Sequence, residues 1–213
     1  LTFSDIRSLT GLEHATGVTQ LLLTGNAVTD ITPLTELSSL KRLDLDYNPI
    51  ASLPGDLSGL TALTELHLGR NRLDSIPEDA INSLPSLRRL YLEELTLSNA
   101  PRDLSGVADT LNRLFIGGTV LTDTSFLIAL VRLELLDMRE CGLRAVPPAL
   151  ESLTALRFLY LQRNEIEALP DWIGGLGRLE RLDMTGNRLG ALPASMAGLT
   201  KLRHLVLSDN ALF

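Results

Sequence analysis

The sequence predicts a curved α/β solenoid with a parallel β-sheet along one side and 3₁₀ or short helical segments along the other. Three observations carry this. An eleven-residue pattern recurs nine times at spacings of 22 to 24 residues. The first half of each copy alternates apolar and variable residues, the period of a half-buried strand. Between copies, leucines recur at every third position, as at Leu57, Leu60 and Leu63, which suits a 3₁₀ or short helical return. No copy can bury its leucines alone, so neighbours must stack into one elongated core.

In chain order, residues 1–17 read as a partial or capping repeat, with Ile6, Leu9 and Leu12 spaced by three and Phe3 expected to help close the first layer. Residues 18–213 follow as one continuous domain, with copies starting at 18, 40, 63, 87, 111, 133, 156, 179 and 202. Regular copies include LKRLDLDYNPI (40–50), LTELHLGRNRL (63–73) and LERLDMTGNRL (179–189). Three looser ones fill the middle: LRRLYLEELTL (87–97), LNRLFIGGTVL (111–121) and LELLDMRECGL (133–143). Prolines Pro54, Pro77, Pro147, Pro170 and Pro193 open five of the returns, where a fixed φ ends the extended segment. The chain starts at Leu1 and stops at Phe213 with no polar closing segment, so the reading expects a longer natural protein.

The copies fit LxxLxLxxNxL over about nine-tenths of the chain and resemble leucine-rich repeat proteins. The resemblance implies a right-handed solenoid with a concave sheet, and an asparagine at the ninth position whose amide bonds the main chain of the turn. Asn26, Asn48, Asn71, Asn164, Asn187 and Asn210 hold that place, whereas the middle copies carry Leu95, Thr119 and Cys141. Thr replaces the amide's hydrogen bonds in part, Cys weakly and Leu not at all, so distorted turns are expected there. Cys141 reads as a buried thiol.

The second, third, fifth, seventh and eighth positions of each copy form the expected exposed face, a sheet about 38 Å long at about 4.8 Å per strand. Five of the nine aromatic residues fall there: Tyr47, Tyr91, Phe115, Phe158 and Tyr160. Leu135 is expected between Phe115 and Phe158, with Arg89, Arg113, Arg157 and Arg163 flanking. Exposed aromatics with arginines are typical anchors of a binding surface. The same columns hold eleven basic and eleven acidic residues, whereas a nucleic-acid groove would show a basic stripe. The predicted function is therefore a docking module for a protein or peptide, with no nucleic acid, membrane, small-molecule substrate or cofactor expected.

Composition agrees: 19 basic against 26 acidic residues give a net charge of −7, and no apolar run approaches the roughly 20 residues of a bilayer span. One cysteine excludes an internal disulfide framework. Arginine supplies 17 of the 19 basic residues, which points to a GC-rich, bacterial genome, and the lack of disulfide caps and Asn-x-Ser/Thr sequons fits a cytoplasmic protein, or one secreted into a host cell if it is an effector. For chemistry, Asp44 and His67 share the fifth position of adjacent copies but lack a nucleophile beside them, and His14 and His204 are too distant to complete a metal site. The GGLG run (174–177) lacks the Lys-Ser/Thr of a phosphate loop and reads as turn residues. Trp172, on a return, is expected to pack over its small neighbours. Two alternatives remain open: the recognition arm of a larger enzyme, such as a bacterial ubiquitin-ligase effector or a GTPase-linked protein, or a structural spacer or adhesin.

Overall fold

A computed structural model describes residues 3–95, 103–119, 121 and 123–212. Nine three-residue strands form one parallel sheet: β1 (Gln20–Leu22), β2 (Arg42–Asp44), β3 (Glu65–His67), β4 (Arg89–Tyr91), β5 (Arg113–Phe115), β6 (Leu135–Asp137), β7 (Phe158–Tyr160), β8 (Arg181–Asp183) and β9 (His204–Val206). They follow one another in sequence order, as a curved solenoid requires. Each covers the third to fifth positions of its copy. The middle leucines Leu21, Leu43, Leu66, Leu90, Leu114, Leu136, Leu159, Leu182 and Leu205 share one row of the ladder. The sheet's other side packs on a continuous leucine core that runs the length of the chain. In the third copy Leu63, Leu66, Leu68 and Leu73 are all buried.

The returns are short. Pro77 caps helix α1 (Glu78–Asn82), and Pro147, Pro170 and Pro193 precede 3₁₀ segments at Pro148–Ser152, Asp171–Gly175 and Ala194–Gly198. The return after Pro54 carries no helical segment. Trp172 is half-buried against the core, as packing requires. Gly174 is more than a turn residue: a Cβ there would lie 2.2 Å from the Ser195 carbonyl oxygen, so glycine lets two returns meet backbone to backbone. At the N-terminus Leu9 is buried and Ile6 and Leu12 pack on the core, but Phe3 is 77% exposed and lies over Gly25 rather than closing the layer.

The ninth position works as a ladder of amides. Asn164 Oδ1 accepts from the Cys141 and Leu143 amides at 3.0 Å each, while Nδ2 donates to the Met138 and Leu161 carbonyls at 2.9 Å each. Asn48, Asn71 and Asn187 repeat this between their own copies. Of the turns expected to distort, the stretches after Leu95 (96–102) and after Thr119 (120 and 122) lie outside the described residues, and the one at Cys141 keeps the form of the regular copies. Thr119 Oγ1 donates to the Leu92 carbonyl at 2.9 Å, and Cys141 Sγ reaches the Ile116 carbonyl at 3.3 Å. The turn is held one residue earlier, by backbone. The eighth position has positive φ in all nine copies: Gly25, Tyr47, Arg70, Glu94, Gly118, Glu140, Arg163, Gly186 and Asp209. Sequence reading missed this left-handed column, which six non-glycine residues occupy at a conformational cost.

Candidate protein-docking face

Strand alternation sends the third and fifth side chains of every copy to the concave face and the leucines inward. The fifth-position column therefore runs Leu22, Asp44, His67, Tyr91, Phe115, Asp137, Tyr160, Asp183 and Val206. His67, Tyr91 and Phe115 form a parallel stack, with ring centroids 3.9 and 4.3 Å apart. Tyr91, Phe115, Leu135, Phe158 and Tyr160 are all half-buried on the sheet. They do not form one strip. Leu135 pairs in register with Arg113 and Phe158, not with Phe115, whose neighbour is Asp137. Third and fifth positions stand about 6.6 Å apart along a strand, so the apolar surface is two patches. The buried Asp137 separates them, accepting from the Arg139 amide at 3.1 Å and its Nε at 2.8 Å.

Tyr47 and Arg163 lie at the rim, on the left-handed eighth position rather than on strands. Arg70 covers the Tyr47 ring at 4.5 Å from its centroid, and Arg163 Nη1 meets Glu140 Oε1 at 2.9 Å. Arg89 Nη1 bonds Glu65 Oε2 at 2.9 Å, and Arg157 Nε bonds Glu180 Oε1 at 2.8 Å while lying 5.2 Å from the Phe158 ring centre. Arg113 has no acidic side chain within 4.0 Å among the described residues. The structure thus brings Arg89, Tyr91, Arg113 and Phe115 together on β4 and β5. It gathers Leu135, Arg157, Phe158 and Tyr160 around β6 and β7, and leaves Tyr47 and Arg163 at the edge.

His67 belongs to this face, as its fifth position required, but was not among the residues expected to bind a partner. Its Nε2 meets Glu65 Oε1 at 2.8 Å and its Nδ1 faces Asp46 Oδ2 at 3.6 Å, so its partners are not the Asp44 that register suggested. Burial opposes the charged imidazole, but hydrogen bonds to Asp46 and Glu65 outweigh it and hold its pKa above the ordinary 6.5. A histidine bonded between two carboxylates has the setting of an ion-pair element. Asp44, Asp46 and His67 offer ligand atoms within 4.8 Å of one another. Protein groups already occupy them: Thr24 Oγ1 donates to Asp44 at 2.7 Å, and the Gly69 amide donates to Asp46 at 2.8 Å.

Glu93, counted on this face as one of its eleven acids, was not singled out as a site residue. It stands on the seventh position between Gly69 and Gly117, and the sequence signal was this column, Asp46-Gly69-Glu93-Gly117-Arg139. Burial, then the nearby Asp46, pushes its carboxyl from 4.5 up to about 7. Cys141 is buried, and that burial pushes its thiol up to about 12. Among the described residues no helix is long and apolar enough to cross a membrane.

Nine stacked strands braced by asparagine amides, with rings and paired charges on the open sheet, define a repeat scaffold. The chain belongs to the leucine-rich repeat family: a leucine rich repeat model matches residues 16–73 and 38–96, and a leucine-rich repeat region model matches residues 127–212. Such domains generally mediate protein–protein interaction and are typically non-enzymatic. Fibromodulin from Sus scrofa is 29% identical over 128 residues, which make up 60% of this chain and 68% of that protein. A leucine-rich repeat protein from Leptospira interrogans overlays with a TM-score of 0.91 at 27% identity over 99% of this chain, which spans 54% of the length of that one. The ectodomain of the plant membrane receptor kinase GASSHO1/SCHENGEN3 from Arabidopsis thaliana was solved in complex with Casparian strip integrity factor 2. It matches at 26% identity and a TM-score of 0.71, over 94% of this chain and 25% of that one.

Proposed function

We propose that this chain is a non-catalytic docking module that takes a protein or peptide partner on its concave sheet. Tyr91, Phe115, Leu135, Phe158 and Tyr160 supply the apolar contact, and Arg89, Arg113 and Arg157 orient the partner. The observation that carries the reading is the half-buried Tyr91–Phe115 stack on an open sheet. Aromatic surface left facing water favours a cover, and ion pairs around it make a polar rim. The plant receptor's complex supports a partner on the same kind of scaffold. The arginine skew and the overlay on the Leptospira protein favour a bacterial source.

The test is a random dodecapeptide display library panned on the whole chain, with binders measured against Tyr91→Ala/Phe115→Ala/Tyr160→Ala. Truncating three anchors should weaken concave-face binders at least a hundredfold, about 3 kcal/mol, while circular dichroism shows the fold intact. Binders indifferent to all three replacements would remove the concave face from the function.

A further inference from the structure

The seventh-position column opens a groove of about 340 Å³ on the concave side, lined by Asp46, Gly69, Arg70, Glu93, Glu94, Gly117, Gly118, Arg139 and Glu140. The two glycines that flank Glu93 lower the floor on either side of it. Its basic walls are already engaged: Arg70 pairs with Glu94, and Arg139 with Asp137. Two of its acids are engaged as well, Glu140 with Arg163 at 2.9 Å and Asp46 with His67 at 3.6 Å. Glu93 is the exception. Among the described residues no cationic side chain comes within 4.0 Å of it, although burial and the Asp46 charge both disfavour its ionised form.

A second observation points the same way. Three of the rings on this face carry an arginine of the same chain: Tyr47 under Arg70 at 4.5 Å, Phe158 under Arg157 at 5.2 Å and Tyr160 under Arg181 at 5.7 Å. Among the described residues, the Tyr91–Phe115 pair carries none. Tyr91 lies two residues before Glu93, about 6–7 Å away along the extended chain. The faces of Tyr91 are taken by His67 and Phe115, so the unpaired carboxylate stands beside the edge of a ring stack that carries no arginine.

We propose that this groove seats an arginine side chain of the partner, with the guanidinium on the Glu93 carboxylate and the aliphatic stem along the edge of Tyr91. The inference rests on the docking reading above and names the chemistry of its occupant. A guanidinium suits the place because it bonds a carboxylate through two parallel N–H groups, while its apolar stem tolerates the neighbouring ring edge. A divalent cation suits it poorly, since calcium takes six to eight oxygens and the groove leaves one carboxylate unengaged.

The test uses the same display library, keeping peptides whose binding depends on Tyr91 and Phe115. These should carry an arginine, and changing it to alanine should cost at least tenfold against the native chain but little against Glu93→Gln. Such non-additivity is the mark of direct contact. Glu93→Gln alone should cost the native peptide at least tenfold, and its unchanged or raised melting temperature shows that the fold is kept. Retained peptides without a basic residue, or two additive losses, would overturn the arginine seat while leaving the docking face standing. Millimolar calcium chloride that displaces those peptides from the native chain but not from Glu93→Gln would also overturn it, in favour of a metal. No peptide dependent on Tyr91 and Phe115 would overturn both readings.

Discussion

Replacing Glu93 by glutamine should stabilise this protein, and only above acidic pH. The unfolded chain loses the Glu93 proton near the ordinary 4.5, whereas the folded chain keeps it until about 7, since burial and Asp46 oppose the charge. The folded state therefore binds more protons between those values, and stability falls as pH rises through the window. Taken whole, the gap is worth about 3 kcal/mol at 1.36 kcal/mol per pH unit. Glu93 stays in partial contact with water, which screens the charge and reduces the figure to about 1–2 kcal/mol. Glutamine has the same shape and no charge, so it removes this penalty. Thermal unfolding of both proteins should coincide near pH 4 and separate through pH 7, with Glu93→Gln about 3–6 °C higher by about pH 8.5. Asp46, Asp137 and His67, the groups that act on Glu93, are present in both proteins and so largely cancel in the difference. A constant offset across the range, or a loss of stability above pH 7, would show that the carboxylate already has a partner. The same residue is asked to bind a cation, so the stability given up by the free chain would be recovered on docking.

Three further outcomes follow from the turns and the core. At Gly186 φ is +68° and the nearest atom to a new Cβ would be 3.5 Å away, so Gly186→Ala meets no clash. It should still cost about 1 kcal/mol in chemical denaturation for conformation alone, and no loss would mean the left-handed column is not strained. Asn164→Ala strips the Cys141 and Leu143 amides and the Met138 and Leu161 carbonyls of buried partners. A loss of about 3 kcal/mol is expected, against under about 1 kcal/mol for a surface change such as Glu151→Ala. With its thiol buried and pushed up to about 12, Cys141 should resist a thiol reagent at neutral pH until denaturant is added. Rapid labelling of the native chain would contradict that burial.

Why the sequence disclosed so much of the fold and so little of the groove follows from which direction each contact runs. Every strand starts at the third residue of its copy, from Gln20 to His204, because leucine spacing within one copy decides which side chains turn inward. The half-exposure of Tyr91, Phe115 and Tyr160 on one face was readable for the same reason, since it depends only on alternation along a strand. Contacts between copies are another matter. Whether Leu135 meets Phe115 or Phe158 turns on lateral register across residues 20 or more apart, and here register favoured Phe158. Whether His67 meets Asp44, Asp46 or Glu65 depends on rotamers and reach that no spacing encodes. The expected distortion does not occur at Cys141, where the turn is held by the left-handed Glu140 before it as well as by the Asn164 amide group of the next copy. Glu93 combines these blind spots. Its neighbours in sequence are ordinary, and its character comes from glycines 24 residues to either side and from the groove's two arginines, Arg70 and Arg139, each having another acid. A lone carboxylate of this kind can be recognised only by tallying the ion pairs of the whole face, and that tally is what makes it a place for a cation from outside.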